Sequence, residues 1–152
     1  MTHDLDPGAA ARAILDANLY MVLGTADEGG RPWASPVYYA PAAYREFFWV
    51  SSPNARHSSN IAARAEVGIV VFDSQAPIGT GQAVYMKAVA EELTGPDSGR
   101  GIDVFSRRSV EHGGSEWTLE DVQPPARLRL YRAIASEHFV LGAHDERVPV
   151  SL

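Results

Sequence analysis

The sequence predicts a mainly β fold of the α+β class, a small antiparallel β-barrel with helices on its rim. Short apolar runs bounded by turn residues recur along the 152 residues, and in the first half they are paired as hairpins. With about six or seven strands in total, such a sheet can close into a barrel. A chain of this length is expected to form one domain over residues 1–152.

The first half of the chain is predicted to begin with a helix and continue as strands. Asp6 suits an N-cap and Pro7 suits the first helical position, so a helix starts there. Apolar runs rich in β-forming residues follow, separated by turn residues. In chain order we expect a helix over 7–17, a strand over 19–25, a turn over 27–30, a strand over 32–39, a turn over 42–45 and a strand over 46–51.

The second half is predicted to alternate helices with longer strands. Ser52 suits a helix N-cap, and Pro53 suits the first helical position. Alternating apolar residues mark the strands, and Gly113-Gly114 ends a helix. We expect a helix from Ser52 to about Arg64, strands over 67–73 and 82–93, a helix over 99–112, a capped turn over 118–121, a strand over 127–141 and a short strand in the tail.

Composition excludes several classes of function. The chain has no cysteine, which excludes disulfides, cysteine-ligated metals and thiol catalysis. Its net charge of −6 argues against nucleic acid as a partner. The apolar runs are far shorter than the ~20 residues that cross a bilayer, and the N-terminus is acidic, so no membrane association and a cytoplasmic location are expected. The five histidines show no metal-ligand spacing, so no metal site is expected.

A basic, hydroxyl-rich segment offers the best candidate for an anion site. Arg56 and His57 lie in the first turn of a predicted helix, with Ser51, Ser52 and Ser58 nearby. Free backbone N–H groups and the helix dipole favour an anion there, and the arginine fork matches phosphate oxygens. The alternative is an ordinary capped helix with a solvated arginine.

Two further segments suit a flat ring. Gln82 follows Gly79-Thr80-Gly81 and precedes a strand, which excludes a dinucleotide fingerprint. Its amide can donate and accept, as a ring with imide-like edges requires, although an exposed strand-end glutamine is the simpler reading. Pro36 cannot donate to a ladder, so the strand over 35–39 exposes backbone or is a plain edge strand.

The aromatic side chains divide into two groups. Four are expected in the core: Tyr20, Phe47, Phe72 and Phe105. The three tryptophans suit either the core or ring stacking, and the sequence leaves both open: Trp33, Trp49 and Trp117.

Taken in order, these segments resemble the pyridoxamine 5′-phosphate oxidase-like FMN-binding split-barrel family. The resemblance covers about residues 10–95 and rests on the segments 21–25, 30–37, 48–52, 55–61, 67–72 and 81–92. It implies a split β-barrel of about six antiparallel strands with flanking helices. It also implies a homodimer that holds FMN at its interface.

The resemblance assigns roles to individual residues. Arg56 matches the first residue of a basic pair that holds the FMN phosphate, and His57 stands where lysine is usual. Ser51 matches a hydroxyl near the phosphate, and Gln82 matches a glutamine from the partner subunit. The strand over 35–38 matches the one beside the isoalloxazine. The implied cofactor-binding set is Ser35, Pro36, Val37, Tyr38, Val50, Ser51, Arg56, His57, Ser58 and Gln82.

The chain departs from the true oxidase where that enzyme holds its substrate. Ala40 stands where a lysine binds the substrate phosphate, and Arg147 is followed by Val148 in place of an arginine–histidine pair. We therefore expect an FMN-dependent oxidoreductase of another small substrate. The alternatives are a non-catalytic flavin carrier, or a split barrel that binds F420 or haem. No proton donor is evident; Tyr38 or a water could serve.

Overall fold

The computed structural model of the protein describes residues 6–152. Residues 6–152 form three α-helices, eight strands and one short 3₁₀ helix. In order these are α1 (Pro7–Ala17), β1 (Tyr20–Ala26), β2 (Pro32–Tyr38), β3 (Ala40–Ala42), β4 (Glu46–Ser51), α2 (Arg56–Ala63), β5 (Glu66–Phe72), β6 (Ala83–Glu92), α3 (Ser98–Glu111), the 3₁₀ helix Leu119–Val122, β7 (Arg129–Leu141) and β8 (Arg147–Val150).

All eight strands form one antiparallel sheet that curls on itself. The strand order is β2-β1-β5-β6-β7-β4-β3, with β8 paired to β7. β2 and β3 lie at opposite ends of this order, yet only Tyr39 separates them in the chain. The two edges of the sheet must therefore meet at Tyr39, which gives the split-barrel form and confirms the predicted fold class. The sequence predicted about six or seven strands, including a short strand in the tail that corresponds to β8; the additional strand is the short β3.

Tyr39 fixes this meeting point from inside. Its side chain is fully buried, its backbone N–H donates to the Leu19 carbonyl at 3.2 Å, and its hydroxyl donates to the Leu15 carbonyl at 2.7 Å. Burial raises the pKa of Tyr39, so the hydroxyl stays protonated and remains a donor. One residue thus joins α1, the start of β1 and the β2–β3 junction.

The core has two parts on the two sides of β4. Alternate residues of β4 point to opposite sides, so Phe47 and Trp49 fill the barrel while Phe48 packs under α3. The barrel interior is apolar and fully buried, as at Met21 and Leu23. The layer under α3 contains Ile102, Phe105 and Leu130.

The predicted elements are confirmed closely, with one shifted helix start. Helix α1 spans the predicted residues, and the Asp6 carboxylate accepts from the Ala9 N–H at 2.9 Å. Helix α2 begins at Arg56, not at Pro53, because Ser52 and Pro53 form a turn in which the Ala55 N–H donates to the Ser52 carbonyl at 3.1 Å. Ala55 is its N-cap.

Two aromatic residues predicted in the core lie on the surface. Tyr20 and Phe72 are 59% and 44% exposed, because strand alternation places them on the outer face of the sheet. Phe47 and Phe105 are buried as predicted. Trp49 belongs to the core, Trp33 is exposed and Trp117 is partly buried.

Residues 6–152 contain neither a membrane-spanning helix nor a metal-binding cluster. No helix in this range is long and apolar enough to cross a membrane. No group of three or more histidine, aspartate and glutamate side chains in the same range is arranged to hold a metal ion.

Candidate functional site

The candidate site is built around the first turn of α2. The N-cap, Ala55, has no side-chain acceptor, so no cap side chain satisfies the backbone N–H groups of the first turn. No acidic residue lies in that turn, whose first two residues are Arg56 and His57. Uncapped donors at the positive end of a helix dipole favour an anion at this point.

His57 and Ser51 form the inner wall of the site. The His57 Nε2 lies 3.0 Å from the Ser51 Oγ, which joins the end of β4 to the start of α2. His57 is only 7% exposed, and burial lowers the pKa of its imidazole. The imidazole is therefore largely neutral at neutral pH and becomes a cation only when an anion or acid favours it.

Arg56 lies over the ring of Trp33, an exposed residue of β2. The guanidinium carbon is 4.5 Å from the ring centroid, within the range of a cation–π contact. Among residues 6–152, no carboxylate lies within ion-pair distance of Arg56. The guanidinium is thus held in position while its donors remain available to a ligand.

A buried chain of hydrogen bonds joins α2 to β1 and to the first residues of β2. The Asn60 amide nitrogen donates to the Thr25 hydroxyl at 3.0 Å, and that hydroxyl lies 3.4 Å from the Trp33 carbonyl. Asn60 and Thr25 are each 5% exposed. The link fixes α2, β1 and β2 relative to one another, and it explains how Arg56 reaches Trp33.

β2 is an edge strand that pairs only with β1 among the described strands. Its outer backbone edge is therefore free of a strand partner. Ser35 and Val37 point to one face of the sheet, and Pro36 and Tyr38 point to the other. An unpaired backbone edge with small side chains gives a flat, polar border beside the Arg56 surface.

The structure brings together part of the predicted residue set. Ser51, Arg56 and His57 form one cluster. Trp33, which was not in the predicted set, belongs to the same cluster. Ser58 turns away: its Oγ donates to the Ser52 carbonyl at 2.7 Å and faces a separate pocket of about 510 Å³. Val50 also lies apart, against the core layer under α3.

Gln82 lies far from this cluster within one chain. It precedes Ala83, which pairs with Phe72 at one end of β6, whereas α2 packs beside Ala90 at the other end. At about 3.3 Å per residue these ends are roughly 23 Å apart. Gln82 therefore does not contact the Arg56 cluster of its own chain.

Sequence reasoning left Trp33 open between the core and ring stacking, and it did not single out Asn60 as a site residue. Their roles arise from cross-strand and helix–sheet contacts that sequence spacing alone does not indicate. Chemically, the cluster can bind a phosphate-type anion through a guanidinium, a hydroxyl, an imidazole and backbone N–H groups. The adjoining β2 edge can accommodate a planar group.

A family model described as pyridoxamine 5′-phosphate oxidase matches residues 8–137. No curated protein sequence matches the chain significantly.

Solved structures share the fold at low sequence identity. A haem-binding protein from Mycobacterium smegmatis superposes with a TM-score of 0.75 at 18% identity, covering 97% of this chain; the chain spans 59% of that protein. HutZ, a haem storage protein from Vibrio cholerae, gives 0.68 at 20% identity, covering 85% of this chain and 90% of its own. An F420 reductase gives 0.61 at 16%, covering 84% and 94%. At these identities the likeness concerns the fold.

Proposed function

The chain belongs to the pyridoxamine 5′-phosphate oxidase family, and from this premise we propose that it is an FMN-binding oxidoreductase acting on a small molecule other than pyridoxamine phosphate. The observation that carries the proposal is the Arg56 cluster. In a chain of net charge −6, it presents a guanidinium without a carboxylate partner in residues 6–152, beside an uncapped helix start. Such a site suits a phosphate monoester.

Different residues of the site would bind different parts of the cofactor. Arg56, Ser51 and His57 would hold the phosphate, and the free edge of β2 would border the ring through its backbone. When bound, FMN supplies two-electron redox chemistry, and the protein supplies position and electrostatics. Of the residues predicted from the sequence, Ser35 and Val37 remain proposed ring contacts through their backbone, whereas Ser58 bonds the Ser52 carbonyl and Val50 packs under α3.

Homodimerisation is part of the proposal. Gln82 can complete a site around Arg56 only if a second copy supplies it. The outer face of the sheet supports such an interface, because it exposes apolar side chains: Tyr20, Phe72, Val89 and the partly exposed Val22 and Val70. Apolar patches of this kind commonly mark protein–protein contacts.

Pyridoxamine phosphate remains a poor fit as substrate. Ala40, at the lysine position of the true oxidase, is fully buried in the layer under α3 and offers no charge. Arg147 is engaged by Asp145 at 3.1 Å and lies over the Tyr85 ring at 4.4 Å. Neither position offers a free cation for a second phosphate.

The cofactor is tested on the purified protein by its visible spectrum and by mass analysis of what denaturation releases. Released FMN, or tight binding of added FMN, is expected. F420 or haem, as the structural neighbours bind or use, would replace the cofactor assignment. A protein that binds FMN but is not reduced by nicotinamide donors and does not turn over acceptors would be the carrier alternative.

The dimer is tested by sedimentation with a matched pair of variants. Val22→Glu places a charge on the outer face of the sheet, whereas Val110→Glu places the same charge on α3 at a valine that is 49% exposed. We expect a dimeric wild type, a monomeric V22E with weakened FMN binding, and an unchanged V110E. A wild-type monomer that binds FMN tightly would contradict the shared site.

A further inference from the structure

We propose that Trp33 is a positioning residue of the anion site, whose ring holds the Arg56 guanidinium in its binding orientation before any ligand arrives. The inference rests on the proposed function for the identity of the ligand, whereas the contact between the two side chains belongs to the protein alone. Trp33 acts through Arg56, and its role is to set how tightly the site binds.

Arg56 differs from the other arginines that lie over aromatic rings in residues 6–152. Four guanidinium groups in this range make such a contact. Three of them also donate to protein oxygens: Arg100 to Asp97 and Glu46, Arg108 to the carbonyls of Leu15 and Asn18, and Arg147 to Asp145. Among the described residues, Arg56 has no such acceptor. Its donors are therefore left for an acceptor from outside the chain.

The register of β1 and β2 explains why Trp33 faces α2. Thr25 and Trp33 are direct partners in the antiparallel pair, and the side chains of such partners lie on the same face of a sheet. Thr25 is buried on the barrel side of β1, together with Met21 and Leu23. Trp33 therefore lies on the same side, at the end of the barrel where α2 packs.

Helical spacing places Arg56 opposite Trp33. Arg56 and Asn60 are four residues apart on α2 and so lie on one face of the helix. The Asn60 amide donates to the Thr25 hydroxyl at 3.0 Å, and both residues are buried. This hydrogen bond fixes the helix on the sheet. One turn earlier, the guanidinium carbon lies 4.5 Å from the centroid of the Trp33 ring.

The expected gain in affinity comes from preorganisation. An exposed arginine side chain samples many rotamers, and a ligand that needs one of them must restrict the others when it binds. The ring reduces this cost because it already favours the stacked orientation. A cation–π contact at an exposed site corresponds to a factor of about 2 to 5 in population. We expect Trp33 to raise the affinity of the site by the same factor.

The first test is a double-mutant cycle on FMN affinity, measured by flavin fluorescence at constant ionic strength. Trp33→Leu should weaken FMN binding about 2- to 5-fold when Arg56 is present. The same change should have no effect in the Arg56→Ala background, because Trp33 acts only through the guanidinium. Trp33→Phe keeps a ring and should lose less affinity than W33L. Equal losses from W33L in both backgrounds would show that Trp33 supports β2 in general, and would overturn the proposal.

A second readout needs no cofactor. In FMN-free protein labelled with ¹⁵N, the Nε–H signal of Arg56 is identified by its absence in R56A. The indole ring should shift this signal upfield and restrict its motion, and W33L should move it to the position of a mobile arginine. Arg64 is the control, because it donates to the Glu28 carbonyl at 3.0 Å and should keep its signal in W33L. An Arg56 signal that is identical in wild type and W33L would overturn the contact.

The two tests separate this inference from the function on which it rests. If the protein binds no FMN, or if R56A binds FMN as tightly as wild type, the phosphate assignment fails, and the Arg56 signal alone decides whether Trp33 positions the guanidinium. If R56A weakens FMN binding and W33L does not, the proposed function stands and the positioning role of Trp33 fails.

Discussion

Arg56 is the residue on which the proposed phosphate site depends most. Replacing it with alanine removes a charge-assisted contact worth on the order of 1.5–3 kcal/mol, so FMN affinity should fall about 10- to 150-fold. Fluorescence titration of FMN measures this directly. The control is Arg64→Ala, which removes the same charge from the other end of α2, where Arg64 donates to the Glu28 carbonyl at 3.0 Å. Equal losses in R56A and R64A would mean that only net charge matters.

His57 should make FMN binding depend on pH. Burial lowers the pKa of the free imidazole, and a phosphate dianion beside it favours the charged form, so the pKa rises on binding. Binding then takes up a proton. The contribution of His57 to affinity is greatest at acid pH and is lost as pH rises through the bound-state pKa.

The phosphate monoester itself titrates near pH ~6, so a reference is needed. His57→Lys provides one, because a lysine remains charged through this range. We expect the ratio of wild-type to H57K affinity to rise as pH falls from about 8 to about 5.5, with FMN titrated at constant ionic strength. A ratio independent of pH would show that the imidazole does not face the phosphate.

The sequence predicted those site residues that lie together along the chain. Arg56 and His57 adjoin in one turn, and Ser51 ends the preceding strand, so a single strand–turn–helix segment contains all three. The sequence left Trp33 open between the core and ring stacking, since Trp33 meets Arg56 only through the packing of α2 against the sheet. Ser58 was assigned by adjacency, yet its hydroxyl is used to bond the Ser52 carbonyl.

At the scale of elements, the clearest test of the sequence rules is the start of α1. Asp6 caps the helix through its carboxylate, so Asp6→Ala should lower the free energy of unfolding by about 1 kcal/mol. Asp6→Asn keeps the acceptor and should stay close to wild type. Urea unfolding measures both. A D6A protein as stable as wild type would mean that α1 is held by its packing alone, through the buried Ala11 and Leu15.

Element boundaries were predictable where local chemistry decides them. Asp6 and Pro7 mark the start of α1 by capping. Gly113 marks the end of α3, where its φ of 83° is positive. The start of α2 was misplaced because a serine followed by proline suits a turn as well as a helix cap, and here Ser52 bonds within a turn. The short β3 pairs with β4 as a local hairpin, whose turn residues Ala43 and Tyr44 have positive φ angles of 52° and 56°.

At the scale of the whole molecule, the curl of the sheet determines what one chain can and cannot assemble. Because the two edges of the sheet meet at Tyr39, α2 and the free edge of β2 lie on the same side of the barrel. Gln82 lies at the opposite end of β6. Alternation and hairpin turns predicted the antiparallel sheet, and the distance between Arg56 and Gln82 follows only from the strand order. The proposed sharing of the site between two copies would therefore be a property of the assembly.

Sharing can be tested by coexpressing two defective chains. In a two-fold dimer, an R56A chain paired with a Q82A chain forms one site with both residues intact and one site with neither. Random assembly makes half of the dimers mixed, so about a quarter of all sites should recover wild-type FMN affinity.

A control coexpression distinguishes recovery of an intact shared site from an average over two defective chains. Coexpression of R56A with His57→Ala should recover no tight site, because both residues come from the same α2. The fraction of tight sites is read from FMN titrations, and for R56A with Q82A it should be about a quarter in the unfractionated mixture and about a half in mixed dimers purified through two tags. If R56A with Q82A also recovers none although each chain alone is defective, each site lies within one chain. If Q82A alone binds FMN like wild type, Gln82 has no part in the site, and the interface must be completed by other residues of the outer face.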